Sequence, residues 1–381
     1  MSYYITVNRE QRFYQLSLKD ILNGVEESKF TVQRNTRDTL TWRVNSINTS
    51  LIQKTNFSAM KDALVNFVER YKNLISIEDK TGLYYSFKIP KRSGGLRQID
   101  APNEELKKAL YDLKDVLEHK FYLSYHTSAF AYVRGRSTID AVKRHQSNNS
   151  RWFLKMDMRH FFPSTTPYFL SKMLHSLYPF CEFIKIYPDG ARLLDEALSL
   201  CFLRGGLPQG TPTSPMLTNA MMIPIDHAIS KMCHEYAPHL CYTRYADDII
   251  ISSQYSFMWS DVQRKVVDIL KSFEAPFELH PQKTRYGSSN GRNWNLGLML
   301  NKDNQITIGY ARKKTYKAML YQFVSDMNAK RPWSIDDVQH LLGLTSYYRM
   351  IEKENIDHIL SAYSAKFNLD IENTAKSLLR A

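Results

Sequence analysis

The sequence predicts a mixed α/β fold of the α+β kind, in which helices cover an antiparallel sheet. Three observations predict it. Apolar residues recur at helical spacing through much of the chain, as in Met60, Leu64, Phe67, Val68, Tyr71 and Leu74. Other apolar runs, Trp152–Met156, Leu240–Ala246 and Ile249–Ser252, are too short for ordinary helices and suit strands. The last two flank Asp247-Asp248, so the chain doubles back there as a hairpin with two carboxylates at its tip.

Residues 1–80 read as a mixed, mostly helical extension. Leu83–Pro90 follows as a strand, Lys91-Arg92-Ser93-Gly94-Gly95 as a turn, and Leu96–Ile99 as the returning strand of a basic hairpin. From Glu104 to Glu118, the residues Leu106, Ala109, Leu110, Leu113, Val116 and Leu117 form one face of an amphipathic helix. Ser137 is suited to cap a second helix through Ala141 and Val142. The Trp152–Met156 strand ends on Asp157. Tyr168–Leu177 and Leu193–Leu203 read as helices, and Pro215–Met232 as one long apolar helix that Pro224 threatens to kink.

Beyond the Asp247-Asp248 hairpin, Asp261–Phe273 sets Val262, Val266, Ile269, Leu270 and Phe273 on one side of a helix. Two helices complete the pattern. One runs near Arg312–Met327, with Tyr316, Met319, Leu320, Phe323 and Met327 toward a core. The other opens at Ser334 with a capping box, Ser334-x-x-Asp337.

Composition narrows the function classes. The 381 residues are 43% hydrophobic and 23% charged, which excludes a disordered or collagen-like chain. Lys plus Arg number 51 against 38 Asp plus Glu, a net charge of +13 that suits a polyanionic partner. The 24 Tyr and 19 Phe supply rings for core packing or for stacking on bases. Cys181, Cys201, Cys233 and Cys241 lack CxxC spacing, and Cys233-His234 with His239-Leu240-Cys241 fits no common zinc pattern, so reduced structural thiols are expected. The N-terminal residues lack an apolar signal core, and no run reaches the roughly 18 apolar residues of a membrane span. A soluble, cytoplasmic protein without a membrane partner is the expectation.

The carboxylates carry the chemistry. Asp is a poor strand former, so Asp157 and Asp247-Asp248 set against apolar strands ask for a reason, although Asp is common in turns. If the segments are neighbours in one sheet, three carboxylates converge at its edge. Such a cluster repels itself without cations. Two Mg2+ ions about 3.5–4 Å apart, with Mn2+ as an alternative, would neutralise it and form a site for in-line phosphoryl transfer.

Tyr245-Ala246-Asp247-Asp248 resembles the YxDD box of reverse transcriptases. Ahead of it stand Leu207-Pro208-Gln209-Gly210 and Thr213-Ser214-Pro215, and earlier Asp157-Met-Arg-His-Phe-Phe-Pro-Ser164. Each is weak alone, and their joint order is specific. The last resembles the first-aspartate motif of retron, group II intron and defence-associated enzymes. The resemblance covers about residues 84–351 and implies a right-hand polymerase with fingers, an antiparallel-sheet palm and a helical thumb. The expected division is an extension at 1–80, fingers at 81–150, palm at 151–310 with an interleaved fingers segment about 165–205, and thumb at 311–381.

The resemblance also implies roles. Asp157 and Asp247 would ligate both metals, Asp248 would be a less direct third carboxylate, and the Met158 carbonyl would add a backbone ligand. Phe162 matches the steric gate whose ring excludes a 2′-hydroxyl, a choice made by clash. Phe161 is the better core residue. Gln209 and Gly210 match the segment that contacts the incoming nucleotide. Arg97 matches the fingers arginine on the triphosphate. Lys91 stands near the matching lysine, with Lys88 competing. Lys283, in His280-Pro-Gln-Lys283, matches a lysine that can protonate the leaving pyrophosphate. Leu296 and Gly297 resemble the primer grip, and Leu341-Leu-Gly343-x-x-x-Tyr347 resembles a thumb helix motif. Arg312, Lys313, Lys314 and Lys317 crowd a helix start, where the macrodipole disfavours positive charge, so bound phosphates would offset them.

The expected activity is RNA-templated DNA synthesis. Implied partners are a template RNA (a dedicated non-coding RNA encoded beside the protein), the DNA product and dNTPs, with a homo-oligomer or partner protein left open. Asn219-Ala-Met-Met-Ile lacks the histidine usual in retron enzymes, and Asn295-Leu-Gly stands in place of VTG. With the N-terminal extension, these departures favour a stand-alone, anti-phage defence enzyme over a standard retron. No RNase H or endonuclease domain follows the thumb, which disfavours a mobile intron protein. Untemplated or protein-primed synthesis and a retron-type RNA-linked DNA product remain as alternatives. A binding-only protein is a third, and the complete catalytic set speaks against it.

Overall fold

A computed structural model describes residues 3–8, 30–34, 39–44, 56–90, 94–121, 123–289 and 296–380. The strands are β1 Tyr3–Asn8, β2 Phe30–Arg34, β3 Thr39–Val44, β4 Tyr84–Pro90, β5 Leu96–Pro102, β6 Trp152–Asp157, β7 Cys241–Tyr245, β8 Asp248–Ser253, β9 Arg285–Ser288, β10 Met299–Leu300 and β11 Ile306–Thr307. The longer helices are α1 Phe57–Arg70, α2 Glu104–Asp115, α3 Thr138–Ser147, α4 Pro167–His175, α5 Phe180–Ile186, α6 Gly190–Leu198, α7 Ser214–Met221, α8 Ile223–Glu235, α9 Trp259–Ser272, α10 Tyr310–Asn328, α11 Ile335–Phe367 and α12 Ile371–Leu378. This is the mixed α/β class the sequence predicts. No described helix is long and apolar enough to cross a membrane.

The chain divides into two compact units. The first comprises Met1–Ser137, Leu154–Ile251 and Phe257–Arg285; the second comprises Thr138–Phe153, Ser252–Ser256 and Tyr286–Ala381.

In the first unit, β1, β3 and β2 form an antiparallel three-stranded sheet. Within the extension at 1–80, expected as mixed and mostly helical, the described part of residues 1–44 is strand. β-Branched and aromatic residues dominate these segments, as in Tyr3-Tyr-Ile-Thr-Val7 and Thr39-Leu-Thr-Trp42, and they favour a pleated surface. The helix expected near Phe57 is present and buries Phe57, Met60, Leu64 and Phe67. β4 and β5 form the expected hairpin, with Phe87 opposite Ile99 and Ile89 opposite Arg97. Phe121 stacks on Phe180 at 4.8 Å between ring centroids and meets Phe183 edge-on, and all three rings are fully buried.

The long helix expected over Pro215–Met232 is two helices, α7 and α8, separated at Met222. Pro224 has no N–H and its ring would strike the carbonyl of Ala220, so one helix stops and the next starts with proline in its first turn. Of the four cysteines, Cys181, Cys201 and Cys233 are buried, and burial pushes the Cys201 thiol up to about 12.

The central sheet has strand order β7-β8-β6-β9. β7 and β8 are joined only by Ala246 and Asp247, which makes them a hairpin. β6 runs antiparallel to β8, because Arg151 N donates to Ser253 O at one end and Met158 N to Asp247 O at the other.

The second unit contains α3, β9, the short β10–β11 pair and the helices α10–α12. His145 is fully buried, pairs with Ser252 Oγ at 2.6 Å, and is held down to about 3 by burial. α10 buries Tyr316, Leu320, Phe323 and Val324. Ser334 caps α11 by accepting from Asp337 N, as its capping box requires.

Candidate active site

Two strand ends and one tight turn build the site, all within the first unit. Alternation along β6 puts Lys155 and Asp157 on one face, with Asp157 as the last strand residue and 8% exposed. The turn between β7 and β8 takes Ala246 into the left-handed region at φ 56°, which aims Asp247 and Asp248 back toward β6. The Met158 N–H bond to the Asp247 carbonyl, 3.0 Å, locks the two ends side by side. On the other edge of β6, His280 N donates to Asp157 O at 2.7 Å and Arg159 N to Glu278 O at 2.8 Å. That pairing delivers Lys283, whose Nζ lies 2.9 and 3.0 Å from the two Asp157 carboxylate oxygens. Lys155 Nζ lies 3.0 Å from Asp248 Oδ1.

The electrostatics follow from crowding. Asp247 is pushed up to about 6, chiefly by desolvation and then by the neighbouring charges of Asp248 and Asp157, against some relief from Lys283. Asp248 is raised by desolvation and by Asp157, while Lys155 pulls it back.

A second group of residues is tied to the segment that follows Asp157. After Asp157, the one-turn helix Phe161–Ser164 buries Phe161 against Phe277 and leaves Phe162 half-buried. Leu207 N donates to Phe162 O at 3.1 Å. Gly206 packs so tightly on Pro163 that a Cβ there would lie 2.1 Å from its carbonyl oxygen. Gln209 O accepts from Asp100 N at 2.8 Å, and Gly210, at φ 124°, lies against Asp100 and Ile99 of β5. The Leu207–Gly210 segment is thus tied to the Phe162 turn at one end and to the β4–β5 hairpin at the other. Arg97 is exposed on that hairpin, and Lys88 is exposed opposite Gln98. Lys91 lies outside the described residues.

Residues 89–317 match the family described as reverse transcriptase (RNA-dependent DNA polymerase). The chain belongs to the reverse transcriptase family. Among its relatives, the retron Ec83 reverse transcriptase of Escherichia coli is 29% identical over 304 residues, 77% of this chain and 89% of that one. The retron Mx65 reverse transcriptase of Myxococcus xanthus is also 29% identical over 304 residues, covering 77% of this chain and 67% of that one. Among solved structures, apo telomerase from Candida tropicalis superposes with a TM-score of 0.43 at 14% identity over 92% of this chain and 67% of that one. A C-terminally truncated apo form gives 0.40 at 14% over 76% and 65%. This reverse transcriptase is therefore an RNA-directed DNA polymerase. Despite the departures at Asn219 and Asn295, the chain is similar to retron enzymes.

The family implies divalent cations, and the donor chemistry fits: three carboxylates and the Met158 carbonyl are hard oxygen ligands. Asp247 is raised chiefly by burial and then by its acidic neighbours, and a cation would relieve it. Among the described residues, no three His, Cys, Asp or Glu side chains stand close enough together to hold one ion. Here the counter-charge comes from the Lys283 and Lys155 ammonium groups.

In the second unit, Leu296 and Gly297 both have left-handed backbone, and the Gly297 carbonyl accepts from Arg312. Lys313 is ion-paired with Glu352 at 2.6 Å, and Glu352 also accepts from Ile308 N. Two of the four basic residues at the start of α10 thus have partners within the protein, whereas Lys314 and Lys317 are exposed. They share a face with the exposed rings of Tyr310 and Tyr321, at positions i, i+4, i+7 and i+11.

Sequence reasoning missed Lys155, Tyr132 and the Arg244–Asp226 pair. Tyr132 stands edge-on to Phe162 with ring centroids 6.3 Å apart. Arg244 and Asp226 are wholly buried and joined by two bonds of 2.8 Å, and Arg244 Nη1 also donates to Ala246 O at 3.2 Å. Lys155, two residues before Asp157 on a strand, carried a same-face signal; the others did not.

Proposed function

We propose that the chain makes complementary DNA by two-metal nucleotidyl transfer on a dedicated non-coding RNA, as part of anti-phage defence. Asp157 and Asp247-Asp248 at adjoining strand ends, with Met158 N donating to Asp247 O, carry the chemical half of this reading. The retron reverse transcriptases among its relatives support the RNA half. The defence role rests on the motif resemblance to stand-alone enzymes.

Asp157, Asp247, Asp248 and the Met158 carbonyl would hold the metals. When bound, two Mg2+ ions would supply Lewis-acid activation of the attacking 3′-hydroxyl and charge stabilisation at the leaving pyrophosphate. Arg97 would bind the triphosphate, and Gln209 and Gly210 would present backbone and amide to the incoming nucleotide. Phe162 would fill the space a 2′-hydroxyl needs. Lys283, paired with Asp157, is a source of the proton the pyrophosphate takes up. Leu296 and Gly297 would hold the primer end, and Lys314 and Lys317 the duplex backbone.

A retron-type product, single-stranded DNA linked to RNA, is the second reading, favoured by the retron relatives. The test purifies wild-type and Asp247→Ala protein with their nucleic acid and sequences the RNA and DNA of each. One discrete RNA in both, with complementary DNA in wild type alone, is the expected result. Equal DNA synthesis by Asp247→Ala would refute the site assignment, and DNA covalently joined to RNA would select the retron-type reading.

A further inference from the structure

Tyr132 is held in a conformation that its side chain disfavours. Its φ is 60°, in the left-handed region that a bulky aromatic residue rarely enters. The surrounding loop is over-determined. Arg136 Nη1 donates to His126 O at 2.7 Å and to Ala129 O at 2.6 Å. Arg244 N donates to Ser128 O at 2.7 Å, and Phe130 N donates to Arg244 O at 2.9 Å. Asn219 Nδ2 donates to Ala131 O at 2.8 Å. Backbone strain kept in place by so many bonds marks a position selected for where it sends its side chain.

That side chain goes to Phe162. Although 56% exposed, its ring meets Phe162 edge-on at 73° and 6.3 Å, a favourable aromatic geometry. Phe162 also meets Phe161 edge-on, with centroids 5.7 Å apart. A half-buried ring with two aromatic neighbours cannot swing aside without losing a contact.

We infer that Tyr132 is a positioning residue for sugar selection: its ring holds Phe162 in the orientation that excludes a 2′-hydroxyl. The inference rests on the proposed role of Phe162 as the gate. It acts through Phe162, so its loss should relax selectivity more than it slows dNTP incorporation.

The test compares kcat/KM for dNTP and rNTP incorporation on a primed RNA template, using full-length wild type, Tyr132→Phe, Tyr132→Gly and Phe162→Ala, together with the double variant Tyr132→Gly/Phe162→Ala. Glycine suits the positive φ, so Tyr132→Gly removes the ring without adding strain. From the worth of an aromatic pair, the dNTP preference should fall about threefold to tenfold in Tyr132→Gly and hold in Tyr132→Phe. In the Phe162→Ala background, Tyr132→Gly should change the ratio no further. An unchanged ratio in Tyr132→Gly, or a second full drop in the double variant, overturns the inference. If Phe162→Ala itself leaves the ratio unchanged, the gate reading fails, and this inference with it.

Discussion

Replacing Arg244 with methionine should damage the fold and the catalytic turn by separable amounts. Arg244 and Asp226 are each 0% exposed, and the guanidinium bonds both carboxylate oxygens at 2.8 Å. Tyr242 OH adds a third bond to Asp226, at 2.6 Å. Removing the arginine leaves a buried carboxylate with Tyr242 as its remaining charge-stabilising partner among these three, and breaking a buried pair from one side costs about 3–5 kcal/mol. Against a total of ~5–15 kcal/mol, that is a large share of the stability. Urea denaturation monitored by fluorescence should show the loss as a lower midpoint. The double variant Arg244→Met/Asp226→Leu should recover most of it, since apolar replacement of a buried pair is close to neutral. Primer extension should stay depressed in the stable double variant, because the bond from Arg244 to the Ala246 carbonyl is gone and the Asp247-bearing turn loses its tether. A single variant within about 1 kcal/mol of wild type would refute the stability argument. Full activity in the double variant would refute the tether.

Three further outcomes follow from the same site and from α10. Asp247 is raised to about 6 in the folded protein, against about 3.9 unfolded, so the folded state binds more protons between those values and metal-free stability falls as pH rises through that window. Asp247→Asn should therefore be more stable than wild type by ~3 kcal/mol at pH 8, with the gain vanishing near pH 4, as read from paired urea titrations. Lys314→Ala/Lys317→Ala should weaken binding to an RNA–DNA duplex and lower the slope of log K against log salt by about 1 to 2. Lys313→Ala, which breaks the pair with Glu352, should show instead as reduced stability.

Much of the site was legible because its parts are local. Asp157 at the end of an apolar run and Asp247-Asp248 between two such runs read directly as strand ends with carboxylates. Their motif neighbours Phe162, Gln209 and Gly210 lie within short, ordered segments. The helices around Phe57, Glu104, Asp261 and Arg312 follow from apolar periodicity, which burial at the core enforces. The early strands were harder to read, since β-branched residues state a preference that tertiary context decides.

The sequence alone determined the chemistry on offer: which carboxylates, which ring, which cations, and the alternation that puts Lys155 beside Asp157. Tertiary structure decided who meets whom across the chain. Lys283 reaches Asp157 because residues 278–280 pair along β6. Lys313 and Arg312, read as phosphate ligands, turn inward to Glu352 and to the Gly297 carbonyl. Tyr132 and Asp226 acquire their meaning only from partners far along the chain, Phe162 and Arg244. Local propensity acts over a few bonds and leaves a signature in spacing. Desolvated ion pairs and ring contacts depend on the final fold, where a low-dielectric interior makes each such pairing strong and each omission costly.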